Sequence, residues 1–150
     1  MRIVIQRVSH AEVAIEGNIV GKIGKGMMIL LGIEAEDNDA DIEWLCGKIA
    51  RLRIFDDENG VMNLDIQQTE GEALVVSQFT LYASTKKGNR PSYIRSAPEA
   101  ISRPMYEKFL ARLSDALGKE VAHGEFGADM QVSLTNNGPV TICIDSKNRE

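Results

Sequence analysis

Apolar residues recur at every second position at both ends of the chain and at helical spacing in two windows between them, and this change of period is the strongest constraint on the fold. Ile3 and Ile5, then Val13 and Ile15, alternate with other residues, and the turn Glu16-Gly17-Asn18 leads into a further apolar run from Ile19. The opening therefore reads as strands in antiparallel succession. Met27 to Gly32 is continuously apolar between glycines, which suits a strand covered on both faces. Ile42, Leu45, Cys46, Ile49 and Leu52 then fall on one helical face, with Asn38 and Asp41 placed to satisfy and charge-complement the N–H groups at its start. After Phe55, the run Asp56-Asp57-Glu58-Asn59-Gly60 ends in Asn-Gly and predicts a tight turn between strands with solvent-facing acids.

Ala73 to Leu81 reads as another strand, and the polar, basic STKKGNRPSYIRS after it as an exposed loop. Ser96-Ala-Pro-Glu99 predicts a serine-capped second helix running through Tyr106, Phe109, Leu110, Leu113 and Leu117 to Gly118, kinked or restarted at Pro104. Met130 to Leu134 and Val140 to Ile144 return to strand pattern, and on spacing alone Asn136-Asn137-Gly138-Pro139 between them is a hairpin turn. Strands bracket two helices without repeat or linker. The expected fold is one α+β domain over 1–150, a curved antiparallel sheet or barrel with two main helices.

A chain of 150 residues, 43% hydrophobic, can bury roughly 70% of its unfolded surface and needs no disulfide or metal staple. Cys46 and Cys143 are therefore expected as buried packing residues in a reducing cytosol, and the opening MRIVIQRV has no secretory pattern. The longest apolar stretch, Met27 to Leu31, is far short of the roughly 20 residues of a membrane-spanning helix. A cytoplasmic protein is expected, with no membrane partner.

The net charge is −5, which argues against coating DNA or RNA by bulk attraction. Its distribution is two-sided. Glu34 to Glu72 holds twelve acids against Lys48, Arg51 and Arg53, whereas Ser84 to Arg112 holds seven bases (Lys86, Lys87, Arg90, Arg95, Arg103, Lys108, Arg112) against Glu99 and Glu107. Such a segment can orient an anionic partner such as RNA, or be merely a solvated loop and helix face.

Several chemistries are excluded. The glycines of Gly17 to Lys22 enclose three residues, and Ile23 stands where a phosphate-binding loop needs Ser or Thr. His10 and His123 have no Cys, Asp or Glu at metal-ligand spacing, so no metal and no cofactor is expected. Ser84-Thr-Lys-Lys87 matches SxxK without its companion motifs, and no serine sits in a GxSxG turn. Two stretches remain. In Ser77-Gln78-Phe79-Thr80-Leu81, polar residues interrupt an apolar strand where backbone N–H groups can face a ligand or simply end the strand. In Asn136-Asn137-Gly138-Pro139-Val140-Thr141, proline removes a ladder donor, and the Gly-Pro step can be cis at modest cost.

The opening MRIVIQRV, the SQFTL stretch, the KKGNRPSY loop and the terminal NNGPVT, in that order and across nearly the whole chain, resemble the D-aminoacyl-tRNA deacylase family, whose two signature motifs, SQFTL and NxGPxT, both stand here without substitution. The resemblance implies a homodimer with sites at the subunit interface. Each site would combine Ser77, Gln78, Phe79 and Thr80 of one protomer with Gly138 and Pro139 of the other, and Arg7 would help hold a cis Gly138-Pro139 bond. It implies a substrate, D-aminoacyl-tRNA, and hydrolysis of its ester. A rigid Gly-Pro pair with both carbonyls on one side can bind an α-ammonium while leaving no room for an L side chain, so D-residues and glycine, including glycyl-tRNA mischarged on an alanine tRNA, pass.

The ester is already activated, so oxyanion stabilisation by N–H groups near Gln78 and Phe79, with help from the substrate's terminal ribose hydroxyl, can supply the catalysis. The competing expectation is Thr80 as a covalent nucleophile. Lys86, Lys87 and Arg90 are expected on phosphates of the acceptor stem. From other classes, a non-catalytic RNA-binding module, a general small-molecule esterase and a purely structural dimer remain open at this point.

Overall fold

A computed structural model describes residues 1–150. In chain order the elements are β1 (Arg2–Ile15), β2 (Asn18–Ile23), β3 (Gly26–Gly32), α1 (Asp39–Arg51), β4 (Phe55–Asp56), β5 (Met62–Leu64), β6 (Glu72–Ser77), a 3₁₀ turn (Phe79–Tyr82), α2 (Glu99–Leu117), β7 (Ala122–His123) and β8 (Gln131–Asp145). The main sheet runs β2-β1-β3-β6-β7, with β8 added on β1, and β4 and β5 form a separate hairpin. It is a curved, nearly closed α+β arrangement. Closure depends on Gly21 of β2, where a Cβ would lie 2.6 Å from the His123 carbonyl oxygen of β7.

The sheet is mixed, not wholly antiparallel as the sequence suggested. β3 pairs β6 in parallel and β6 pairs β7 in parallel. In each case a helix lies between the two strands in the chain, and such a crossover returns the chain to the same end of the sheet. The opening strands also differ from expectation. Arg2 to Ile15 is one strand, and its register with β8 breaks between Gln6 and Val8 and again between Val8 and His10. These irregularities shift the buried phase, so Ile3 and Ile5 join the large core cluster while Val8, Ala11 and Val13 join a second, smaller one.

The helices pack on one another, and Leu45, Cys46, Ile49, Phe109 and Leu113 are fully buried between them and the sheet. Each such aliphatic or aromatic side chain stabilises the fold by about 1.5–3 kcal/mol. α1 begins in the expected capping box: Asn38 accepts from the Ala40 N–H and the Asp41 carboxylate from the Asn38 N–H. α2 lacks its expected serine cap. Pro98 occupies the cap position, and Ser96 Oγ instead donates to the Phe79 carbonyl at 2.7 Å, so the serine ties the helix entry to the 3₁₀ turn. The helix continues through Pro104 and stops at Gly118, whose φ is +70°.

Two further expectations are corrected. β6 ends at Ser77 rather than Leu81, and Cys143 is exposed on β8, opposite Val4 of β1. Cys46 is buried as expected, and burial pushes its thiol pKa up to about 12. No helix is long and apolar enough to cross a membrane.

Candidate active site

Where β6 ends, the backbone leaves the ladder and opens one wall of a cavity of about 290 Å³. Ser77, Gln78 and Phe79 form that wall, Val76 precedes them in β6, Leu31 lies in the adjoining β3, and Ala97, Ser102 and the segment from Phe126 to Met130 close the far side. The N–H of Gln78 is already committed to the Leu31 carbonyl at 2.7 Å, so it is not free to meet a ligand as the sequence suggested. The N–H groups of Phe79 and Thr80 are the first two of the 3₁₀ turn and have no partner inside it. Any backbone oxyanion site here is therefore shifted one residue along the chain.

Thr80 stands beside this wall without lining it. Its Oγ accepts from the Gln78 side-chain amide, and no histidine or carboxylate bonds to it. A neutral amide is too weak a base to take the hydroxyl proton, so this contact does not activate Thr80 as a nucleophile. Phe79 is 57% exposed and meets Tyr93 edge-on, with ring centroids 5.1 Å apart. The basic residues Lys86, Lys87 and Arg90 follow on an exposed loop pinned at its base by the Ser84–Ser92 bridge.

The second predicted group lies elsewhere. Asn136 to Pro139 is not a hairpin turn, because both flanking segments belong to β8 and both pair with β1. Gln6 is opposite Thr141 and Val8 opposite Asn136, so Asn137 to Val140 bulge out against Arg7 alone. The Gly138–Pro139 peptide at the crest is cis. Arg7, 8% exposed, donates from Nε to the Asn137 carbonyl at 3.0 Å and from Nη1 to the Ile54 carbonyl at 2.7 Å and Asp56 Oδ1 at 3.2 Å. Asp56 is thus more than a turn residue, whereas Asp57 does serve the turn. Its carboxylate accepts the N–H groups of Val61 and Asn59, which hold its pKa below the usual carboxylate range.

Within one chain the two groups remain apart. Gly138 and Pro139 are exposed and do not line the cavity beside Ser77, Gln78 and Phe79. Sequence reasoning missed the Phe126 to Met130 wall and Ser102. The available signal is Gly127, whose φ of +78° marks a tight loop between β7 and β8. Arg103 reinforces that wall, its guanidinium lying 4.9 Å from the Phe126 ring centroid.

The family model described as D-Tyr-tRNA(Tyr) deacylase matches residues 4–145. A D-aminoacyl-tRNA deacylase of Bacteroides fragilis is 67% identical over 150 residues, covering all of both chains. One from Dechloromonas aromatica is 58% identical over 98% of each. Among solved structures, one titled c-Myc DNA Unwinding Element Binding Protein superposes with a TM-score of 0.90 at 38% identity, over 97% of this chain and 98% of that one. A probable eukaryotic D-amino acid tRNA deacylase superposes with a TM-score of 0.83 at 16% identity, over 95% and 97%, which speaks to the fold alone.

Proposed function

The chain belongs to the D-Tyr-tRNA(Tyr) deacylase family and is a D-aminoacyl-tRNA deacylase, a hydrolase; from that premise we propose that it works in the cytoplasm as a homodimer whose Gly138-Pro139 elbow enters the partner's cavity and bars L-amino acids. One observation carries this reading. The elbow is exposed at the crest of a bulge, gripped from behind by Arg7, and lies away from its own chain's cavity, which supports a role in completing another site. Exclusion by shape needs no recognition of any D side chain, and glycyl-tRNA passes for the same reason.

In the proposed reaction the terminal adenosine's aminoacyl ester lies against Ser77, Gln78 and Phe79. Water attacks the ester carbonyl carbon, and the N–H groups of Phe79 and Thr80 stabilise the oxyanion, an effect worth several kcal/mol in a site shielded from solvent. The C–O bond to the ribose then breaks, the ribose oxygen takes the proton lost by the water, and free D-amino acid leaves. A neighbouring ribose hydroxyl orients the water, consistent with the absence of any acid or base bonded to Thr80. Lys86, Lys87 and Arg90 hold acceptor-stem phosphates.

Purified protein offered matched D- and L-tyrosyl-tRNA is expected to release tyrosine from the D form only. Equal release from both would end the steric reading, and binding without turnover would favour an RNA-binding module. Thr80→Val tests the competing nucleophile. Because the Thr80 hydroxyl meets only an amide, turnover should fall by no more than about tenfold, against the several orders of magnitude expected when a covalent nucleophile is lost.

A further inference from the structure

The elbow sits on a wide interruption of a ladder, and an interruption of that size is mobile unless its base is closed. Two contacts close it. On the strand side, Asn136 Oδ1 accepts the Val140 N–H at 3.1 Å, while Asn136 Nδ2 donates to Thr141 Oγ1 at 3.0 Å, and Gln6 Nε2 reaches the same hydroxyl at 3.5 Å. One side chain thus spans the bulge from its first flanking residue to its last. Behind it, the Arg7 guanidinium that grips the Asn137 carbonyl is itself aimed by the start of the β4–β5 hairpin, through the carbonyl of Ile54 just before β4 and the half-exposed Asp56 carboxylate. The long, flexible arginine has three acceptors from two elements, which leaves it one orientation.

We infer that Asn136 and Asp56 are positioning residues for stereochemical selection: Asn136 clasps the base of the bulge, Asp56 fixes the arginine behind it, and together they hold the Gly138-Pro139 elbow stiff enough to reject an L side chain. The inference rests on the steric reading of the elbow proposed above. Neither residue needs to touch substrate. A loosened elbow yields to an L side chain and presents its carbonyls less steadily to the α-ammonium. The cost falls on selectivity and binding of the D substrate, while the chemistry beside Phe79 is left in place.

The test compares release from D- and L-tyrosyl-tRNA by the full-length protein carrying Asn136→Leu or Asp56→Ala, with Asn136→Asp and Asp56→Asn as conservative partners. Aspartate at 136 still accepts the Val140 N–H and can accept the Thr141 hydroxyl, and asparagine at 56 still offers Arg7 an oxygen. Asn136→Leu and Asp56→Ala should raise the L-to-D rate ratio by about tenfold or more and raise KM for the D substrate, with kcat within about twofold. The conservative pair should stay within about threefold of the starting ratio. A purely structural role would lower the melting temperature and leave the ratio unmoved, which would overturn the inference. If Gly138→Ala shifts the ratio while Asn136→Leu and Asp56→Ala do not, the clasp is wrong and the elbow reading stands. If none of the three shifts it, both fall. Should Asn136→Leu fail to fold, the half-exposed Asp56→Ala decides alone.

Discussion

Alanine in place of Gly138 should lower kcat/KM for D-tyrosyl-tRNA on the order of 100-fold and erode discrimination against the L form, while the chain stays folded. The residue has φ +135°, a conformation that L side chains rarely adopt, and a Cβ there would lie 2.9 Å from Val140 Cγ2, 3.0 Å from Arg7 Nη2 and 3.1 Å from the Val140 nitrogen. None of these neighbours yields easily. Val140 packs against the main core, its nitrogen is backbone, and Arg7 is held by three acceptors. The backbone must therefore move, and it is the backbone that forms the elbow. A displacement of about 1 Å at a positioning element is enough to cost roughly 100-fold in rate. The ladder on either side of the bulge is unaffected, since Gln6–Thr141 and Val8–Asn136 remain paired, so circular dichroism should be unchanged. Gly17→Ala supplies the control. That glycine also has positive φ, +81°, but nothing within 4 Å of its Cβ position, so alanine there tests a positive-φ substitution that does not touch the elbow. Unaltered rate and selectivity in a folded Gly138→Ala protein would remove the elbow from the mechanism.

How far the chain could be read in advance depended on which physical signal each element leaves in sequence. Helices did well, because a 13-residue α1 repeats its apolar stripe several times and its capping box is a local motif. Strand direction was invisible: alternation has the same period whether the neighbour runs parallel or antiparallel, so only the intervening helices could hint at the parallel β3–β6 and β6–β7 pairs. The Asn-Gly-Pro step misled for a different reason. Its turn chemistry is real, but the segments on either side belong to one strand: Val132 and Leu134 pack on the smaller core cluster, and Val140, Ile142 and Ile144 on the larger. The bulge moves the buried side chains from one face of the sheet to the other, as a reversal between two strands also can, so alternation alone does not separate the two readings. The alternation after the bulge places Cys143 among the exposed positions of β8. Phe79 and Leu81 continue the alternation of β6 and so carry a strand pattern, although the chain has already turned there. The Phe126 to Met130 wall is assembled by tertiary packing against residues about fifty positions away in sequence, and its one local trace, Gly127, signals a tight turn but not what the turn packs against.

Reversing three charges, Lys86→Glu, Lys87→Glu and Arg90→Glu together, should weaken tRNA binding on the order of 100-fold at physiological salt. The structure separates these bases from the rest of the basic segment. Arg95 pairs with Glu34 at 3.3 Å, Arg103 with Glu99 at 2.6 Å, Lys108 with Asp39 at 3.2 Å and Arg112 with Glu43 at 2.6 Å. Of the seven bases between Ser84 and Arg112, only Lys86, Lys87 and Arg90 have no acidic partner within salt-bridge distance, and all three are exposed. The apparent two-sidedness of the chain is therefore concentrated in one loop, next to Phe79 and Tyr93, while the helix bases are paired with Glu99 of α2 itself and with Asp39 and Glu43 of α1. Each phosphate contact contributes a slope of about −0.7 to −0.9 in log affinity against log salt, so losing three should flatten that slope by about 2 to 3. The matching reversal of Lys108 and Arg112 should change affinity by less than about threefold, because those charges are already paired. Phosphate contacts position the acceptor stem and carry no information about the acyl group, so the L-to-D ratio should survive the triple reversal even as KM rises. Filter binding across a salt series together with both rate measurements decides it, and an unchanged affinity and slope would move the tRNA contact to another face of the molecule.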